Sequence, residues 1–77
     1  MYILIHRKED SSSHAEYVFG ENEDAVGRLR LSKETGEVTL LEAAPGDTHL
    51  GMFQRAARKL TVHWRAGETP EKTCWAT

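Results

Sequence analysis

The stretch GRLRLSKETGEVTLLEA, residues 27–43, decides the fold. Its first six residues alternate: Leu29 and Leu31 point one way, and Arg28, Arg30 and Ser32 the other, which is the period of a half-buried strand. Val38 and Leu40 continue the pattern on a second strand. Pairing Leu31 with Val38 and Leu29 with Leu40 leaves Lys33–Gly36 as a four-residue loop, a length most often built around a type I turn. A left-handed final residue suits Gly36, which has no Cβ to clash. Hydrophobic register and turn chemistry agree, so a β-hairpin anchors the reading.

Toward the N-terminus, MYILIHR (residues 1–7) carries apolar residues on both faces, with Tyr2, Leu4 and His6 on one and Ile3, Ile5 and Arg7 on the other. Such a pattern reads as an interior strand. The polar stretch KEDSSS favours a turn. HAEYVFG (14–20) then places Ala15, Tyr17 and Phe19 on one face, and the acidic ENEDA precedes Gly27. Toward the C-terminus, APGD breaks the chain and Asp47 is a helix N-cap in type and position. Leu50, Phe53, Ala57, Leu60 and Trp64 recur at three- and four-residue steps, a helical stripe widened by Ala56. Gly67 stops that helix, Arg65 suits its last turn, and Pro70 forbids continuation. The TVHW segment also has strand character, which would end the helix near Leu60 instead.

The expected fold is α+β, with a four-stranded antiparallel sheet near residues 2–7, 14–20, 27–32 and 37–43. A meander is its simplest topology. One C-terminal helix near 48–65 packs across one face, because only that helix has a stripe to cover it. A short tail, 67–77, follows.

A chain of 77 residues and 8.7 kDa makes one domain with one core, leaving little room for an enclosed pocket. Net charge is −2, so no global field draws the protein to nucleic acid or anionic membrane. The charge is uneven, however. Acids predominate before residue 28 (Glu9, Asp10, Glu16, Glu21, Glu23, Asp24) and bases after residue 50 (Arg55, Arg58, Lys59, Arg65, Lys72). A single Cys cannot form an internal disulfide, and the apolar run YILI is too short for a signal core or membrane span. The expectation is a soluble, cytoplasmic protein with no membrane partner.

Catalytic chemistry finds little support. His6, His14, His49 and His63 have no metal-ligand spacing, although His6 and His14 would face each other if the first two strands paired that way. Cys74 has no acid–base set around it, and GDTHLG lacks the Lys-Ser/Thr of a phosphate loop. No enzyme activity, cofactor or metal is expected.

Two surfaces remain. Arg28 and Arg30 point to the outer sheet face, where Leu41 and either Tyr2 and Leu4 or Ile3 and Ile5 leave more apolar surface than a solvated face needs. Trp75, in the tail PEKTCWAT, is either a latch packed with Cys74 on leftover apolar surface, where the tail could add a short strand, or an anchor displayed to a partner. The leading expectation is a small non-catalytic protein-interaction module that binds another protein or itself through Arg28, Arg30, Leu41 or Trp75. The alternative is nucleic-acid binding through Arg55, Arg58, Lys59 and Arg65 on the helix, with Val62 among them.

Overall fold

The computed structural model describes residues 1–76. The chain runs β1 (Tyr2–Asp10), β2 (His14–Gly20), β3 (Val26–Ser32), β4 (Val38–Glu42), α1 (Gly51–Arg65) and β5 (Lys72–Ala76). All five strands form one antiparallel sheet in the order β4-β3-β2-β1-β5. The expected meander of four is present, but the sheet has five strands. The helix is not C-terminal either: it lies between β4 and β5. The tail is the fifth strand, laid against β1 with Ile3 opposite Trp75 and Ile5 opposite Thr73. The cause lies in β1 itself. A strand with apolar residues on both faces needs a neighbour at each edge, and a meander that began with β1 left one edge bare.

The hairpin has the expected register, with Leu31 opposite Val38 and Leu29 opposite Leu40. Gly36 sits at φ 78°. Beyond Leu40 the ladder skips a residue, and Arg28 pairs with Glu42. Leu41 is the extra residue of this bulge. Without the skip Glu42 would fall opposite Gly27, on the core face.

The helix starts at Gly51 rather than near 48, because Leu50 turns left-handed (φ 58°) just before it. Asp47 still caps it, from outside the first turn. Its Oδ1 accepts from the Met52 N–H at 3.0 Å and its Oδ2 from the Phe53 N–H at 3.1 Å. The helix continues past Leu60 to Arg65. It closes at Gly67 (φ 81°), where the Gly67 N–H donates to the Trp64 carbonyl and the Glu68 N–H to the His63 carbonyl.

The core joins Ile3, Ile5, Ala15, Tyr17, Phe19, Leu29 and Leu31 from the sheet to Met52, Ala56 and Leu60 from the helix. Met52 therefore replaces Leu50 in the expected stripe, since Leu50 lies outside the helix. Phe53, Trp64 and Trp75 pack around this centre, half-buried.

The segment between α1 and β5 is tied to the sheet through its carbonyls. The Tyr17 hydroxyl donates to the Pro70 carbonyl at 2.7 Å, Arg7 Nη1 to Thr69 at 2.6 Å, and the Arg7 N–H to Glu71 at 2.8 Å. Burial pushes the Tyr17 hydroxyl up to about 12, the Arg7 charge working against it and the Asp10 charge with it. The folded value thus stands above the unfolded one near 10. The contribution of neutral Tyr17 is complete below pH 10 and is lost as pH rises toward 12. Melting temperatures followed from pH 9 to 12 should fall in that window. A Tyr17→Phe variant should be less stable at pH 8 by about 1–2 kcal/mol, the cost of leaving a carbonyl unpaired, and should fall less steeply above pH 10.

Candidate functional site

The helix covers one face of the sheet, and no part of the described chain covers the other. Register defines what stands there. Leu4 lies between Cys74 and Gly20, and His6 between Lys72 and Val18. Val18 in turn neighbours Arg28, which pairs with Glu42. Tyr2 is exposed, while Leu4, Val18, Val26 and Cys74 are half-buried. Along β2, Val18 falls out of phase with Ala15, Tyr17 and Phe19, which turn to the core.

These apolar residues floor a groove of ≈ 400 Å³ in which Leu4, Val18 and Val26 lie between Lys8 and His6 on one side and Glu23 and Asp24 on the other. The two acids come from the β2–β3 turn, where the Asp24 N–H donates to Asn22 Oδ1 at 2.9 Å. A shallower hollow of ≈ 70 Å³ shares Val18 and Lys8 with the groove and is lined by Glu9, Glu16 and Arg28.

A second bulge shapes that hollow. The β1–β2 ladder skips Lys8, so Glu9 lies directly opposite Glu16. The Glu16 carboxyl, through a hydrogen bond and then its like charge, holds Glu9 above the ordinary carboxylate range; burial adds to this, and the charges of His14 and Arg30 oppose it. A raised folded value means that this pair contributes to stability in acid and loses that contribution as pH climbs through it. A Glu9→Gln variant should therefore melt higher than the parent at pH 7. The difference should shrink on acidification below pH 4.5, as thermal melts from pH 3 to 7 would show.

The sequence-predicted residues do not form one site. Arg28 and Arg30 stand on the outer face, each held by a carboxylate: Arg28 Nε is 3.3 Å from Glu42 Oε1, and Arg30 Nη2 is 3.8 Å from Glu16 Oε1. Leu41 is exposed at the bulge near them. Trp75 lies at the opposite edge of the sheet, opposite buried Ile3, and packs against the core. Its place is that of a latch, with the Arg55 guanidinium carbon 5.1 Å from the ring centre. Trp75 thus joins the helix residues of the alternative reading: Gln54, Arg55, Arg58 and Trp75 line a second groove of ≈ 450 Å³.

The cations divide sharply. Arg7 and Lys33 both meet Asp10, and Arg28 and Arg30 also have carboxylate partners. Among the described residues, Arg55, Arg58, Lys59 and Arg65 have none within ion-pair distance, and neither do Lys8 and Lys72 on the sheet. Val62 stands exposed among the helix cations.

His6 and His14 do not face each other, since His6 pairs with Val18 and His14 lies beyond the β1–β2 ladder, opposite Ser32. His63 holds Glu68 Oε1 through Nδ1 (3.1 Å) and Thr73 Oγ1 through Nε2 (3.2 Å), linking helix to β5. Among the described residues no group of three or more His, Cys, Asp or Glu is placed to hold a metal ion. Among the described residues no helix is long and apolar enough to cross a membrane.

Sequence reasoning missed the groove because Val18 and the acids of the β2–β3 turn are far apart in the chain from Leu4. Surplus apolar surface on this face, with Leu4 among its candidates, was legible; a further signal was Val18, an apolar residue on the polar phase of its strand. The chain matches no family profile, and comparison with curated proteins and with solved structures gives no match either.

Proposed function

We propose that the protein is a non-catalytic protein-interaction module that binds through the outer face of its sheet. One observation carries this reading: a groove floored by Leu4, Val18 and Val26 on a face that its own helix leaves uncovered. Burying such residues against a partner gains roughly 25 cal/mol for each Å² removed from water. Arg28, Arg30 and Leu41 border the surface, and their ion pairs with Glu42 and Glu16 keep its rim polar. Trp75 acts in this reading as the latch of β5 and leaves the anchor role to the groove. A photo-reactive residue placed at Val18 should form adducts with a protein partner in cells expressing the chain, while the same residue at Glu34, on the exposed hairpin tip, should not. Absence of adducts at residue 18, with the fold intact by circular dichroism, would sink the reading.

A second reading has its own support. Four helix cations without carboxylate partners, beside a half-exposed indole, are the chemistry that tracks a phosphate chain. Binding of a fluorescent single strand through roughly four phosphates should weaken with salt at a log–log slope of about −3. No binding at ~20 mM salt, where exposed charges are least screened, removes it.

A further inference from the structure

We infer that the occupant of the outer groove is a second copy of this chain, which presents the solvent face of α1. This inference rests on the protein-interaction reading above and names its partner. The two surfaces match in apolar content and spacing, and in charge at the acidic end of the groove.

The groove has an apolar floor with two carboxylates at one end and Lys8 and His6 at the other. Glu23 and Asp24 stand at the end nearest the β2–β3 turn, and the adjoining hollow beyond Val18 is mixed, with Glu9 and Glu16 beside Lys8 and Arg28. Neither Glu23 nor Asp24 meets a cation among the described residues. Glu9 faces another carboxylate directly, a like-charge pairing across strands that an incoming cation would relieve.

The helix offers an apolar residue set among cations. Val62 is 57% exposed, with Arg58 and Lys59 one turn before it and Arg65 nearly one turn after it. Residues three and four apart share a helix face, so these cations flank Val62 on both sides. From Arg58 to Arg65 the helix rises about 10 Å. From Glu16 to Gly20, where the acidic turn begins, the strand spans about 13 Å. Val62 can therefore sit on the Val18 floor while the cations on one side of it meet Glu23 and Asp24.

Groove and helix face lie on opposite sides of the molecule, so the contact is head-to-tail. Each copy offers a helix to one neighbour and a groove to another, and association proceeds as an open chain unless its rotation closes a ring. Attraction between exposed charges makes it weaken with salt.

Sedimentation of the wild-type chain should show an average mass that rises with concentration at 50 mM salt, with association at least about tenfold weaker at 500 mM. Two charge-reversed variants decide the geometry, with folding of each confirmed by circular dichroism. Arg58→Glu with Lys59→Glu keeps the native groove, and Glu23→Lys with Asp24→Lys keeps the native helix. Each should be monomeric alone, and their mixture should associate, because one native interface survives between them. Val62→Asp should abolish association without touching a cation.

A helix variant that still dimerises would show a symmetric groove-to-groove contact, and a groove variant that does so a helix-to-helix one. Either overturns the inference. A wild-type chain monomeric at millimolar concentration in 50 mM salt also overturns it. In that case adducts at residue 18 with a different protein would leave the broader interaction reading standing, and their absence would remove both. Saturable binding of a nucleic acid to the helix, lost with Arg58→Glu and Lys59→Glu while the wild type stays monomeric, would assign the cations to phosphate instead.

Discussion

A chain cut after Glu71, lacking residues 72–77, is expected to lose its cooperative unfolding transition. The last strand contributes five ladder positions to β1, from Tyr2 opposite Ala76 to His6 opposite Lys72. Its removal bares the edge of β1, with Ile3 and Ile5 on the core side, and takes away the indole packed against that core. His63 also loses Thr73, one of its two partners. A domain of 77 residues has about 4–12 kcal/mol of stability in total. Losing an aromatic side chain from a core typically costs about 3–5 kcal/mol when it is fully buried. Trp75 is only half-buried, so Trp75→Ala alone should cost about 2–3 kcal/mol and leave a folded protein. The truncation adds to that the loss of the ladder and the exposure of two isoleucines. Urea titration followed by far-ultraviolet circular dichroism checks this: the point variant should keep a sigmoidal transition at a lower midpoint, and the truncated chain should show a broad drift. A truncated chain with the parent's midpoint would mean that β5 contributes nothing to the fold.

Those same residues show where the sequence was legible and where it was not. Local patterns carried far. The alternation of Leu29 and Leu31 with Arg28 and Arg30 set the β3–β4 register, and Gly67 marked the helix end where the backbone turns to φ 81°. The β1 pattern was also read correctly as interior, but interior position is a statement about two neighbours, and only β2 was in hand. The missing neighbour lay some seventy residues away in a five-residue strand, KTCWA, whose β-forming content is modest. Nothing local distinguishes such a segment from a tail; the demand for it is written in β1.

The candidate site was harder for a similar reason. Two bulges rearrange the outer face, one skipping Lys8 and one skipping Leu41. Each shifts the downstream residues by one position. The first sets Glu9 against Glu16, and the second brings Glu42 to Arg28. Strict period-two reading cannot foresee either, because a skipped residue leaves no mark in composition. Burial, not pattern, supplies the motive at Leu41: the skip keeps the Glu42 carboxylate away from the core face.

Gly36 shows local and tertiary constraints meeting in one residue, and Gly36→Ala is the second substitution expected to act strongly. A left-handed conformation costs a residue with a Cβ about 1–2 kcal/mol. Here the added carbon would also lie 2.5 Å from Cε3 and 2.6 Å from Cζ3 of Trp64, closer than such atoms approach. The indole cannot simply swing aside, since its Nε1–H donates to the Lys33 carbonyl at 2.8 Å, within the same turn. Overpacking of this kind adds about 1–3 kcal/mol, so the whole cost is about 2–5 kcal/mol, a large share of what a domain this small possesses. Gly36→Asn separates the two causes: Asn tolerates the left-handed region but carries the same Cβ, so most of the contact cost should remain. The decisive comparison repeats Gly36→Ala in a Trp64→Leu background. If the ring is the obstacle, the substitution should cost only the conformational part there, about 1–2 kcal/mol, and the two changes will be non-additive. Strict additivity in urea unfolding would assign the glycine to backbone conformation alone, and the seating of the hairpin turn on the helix would owe nothing to the absent side chain.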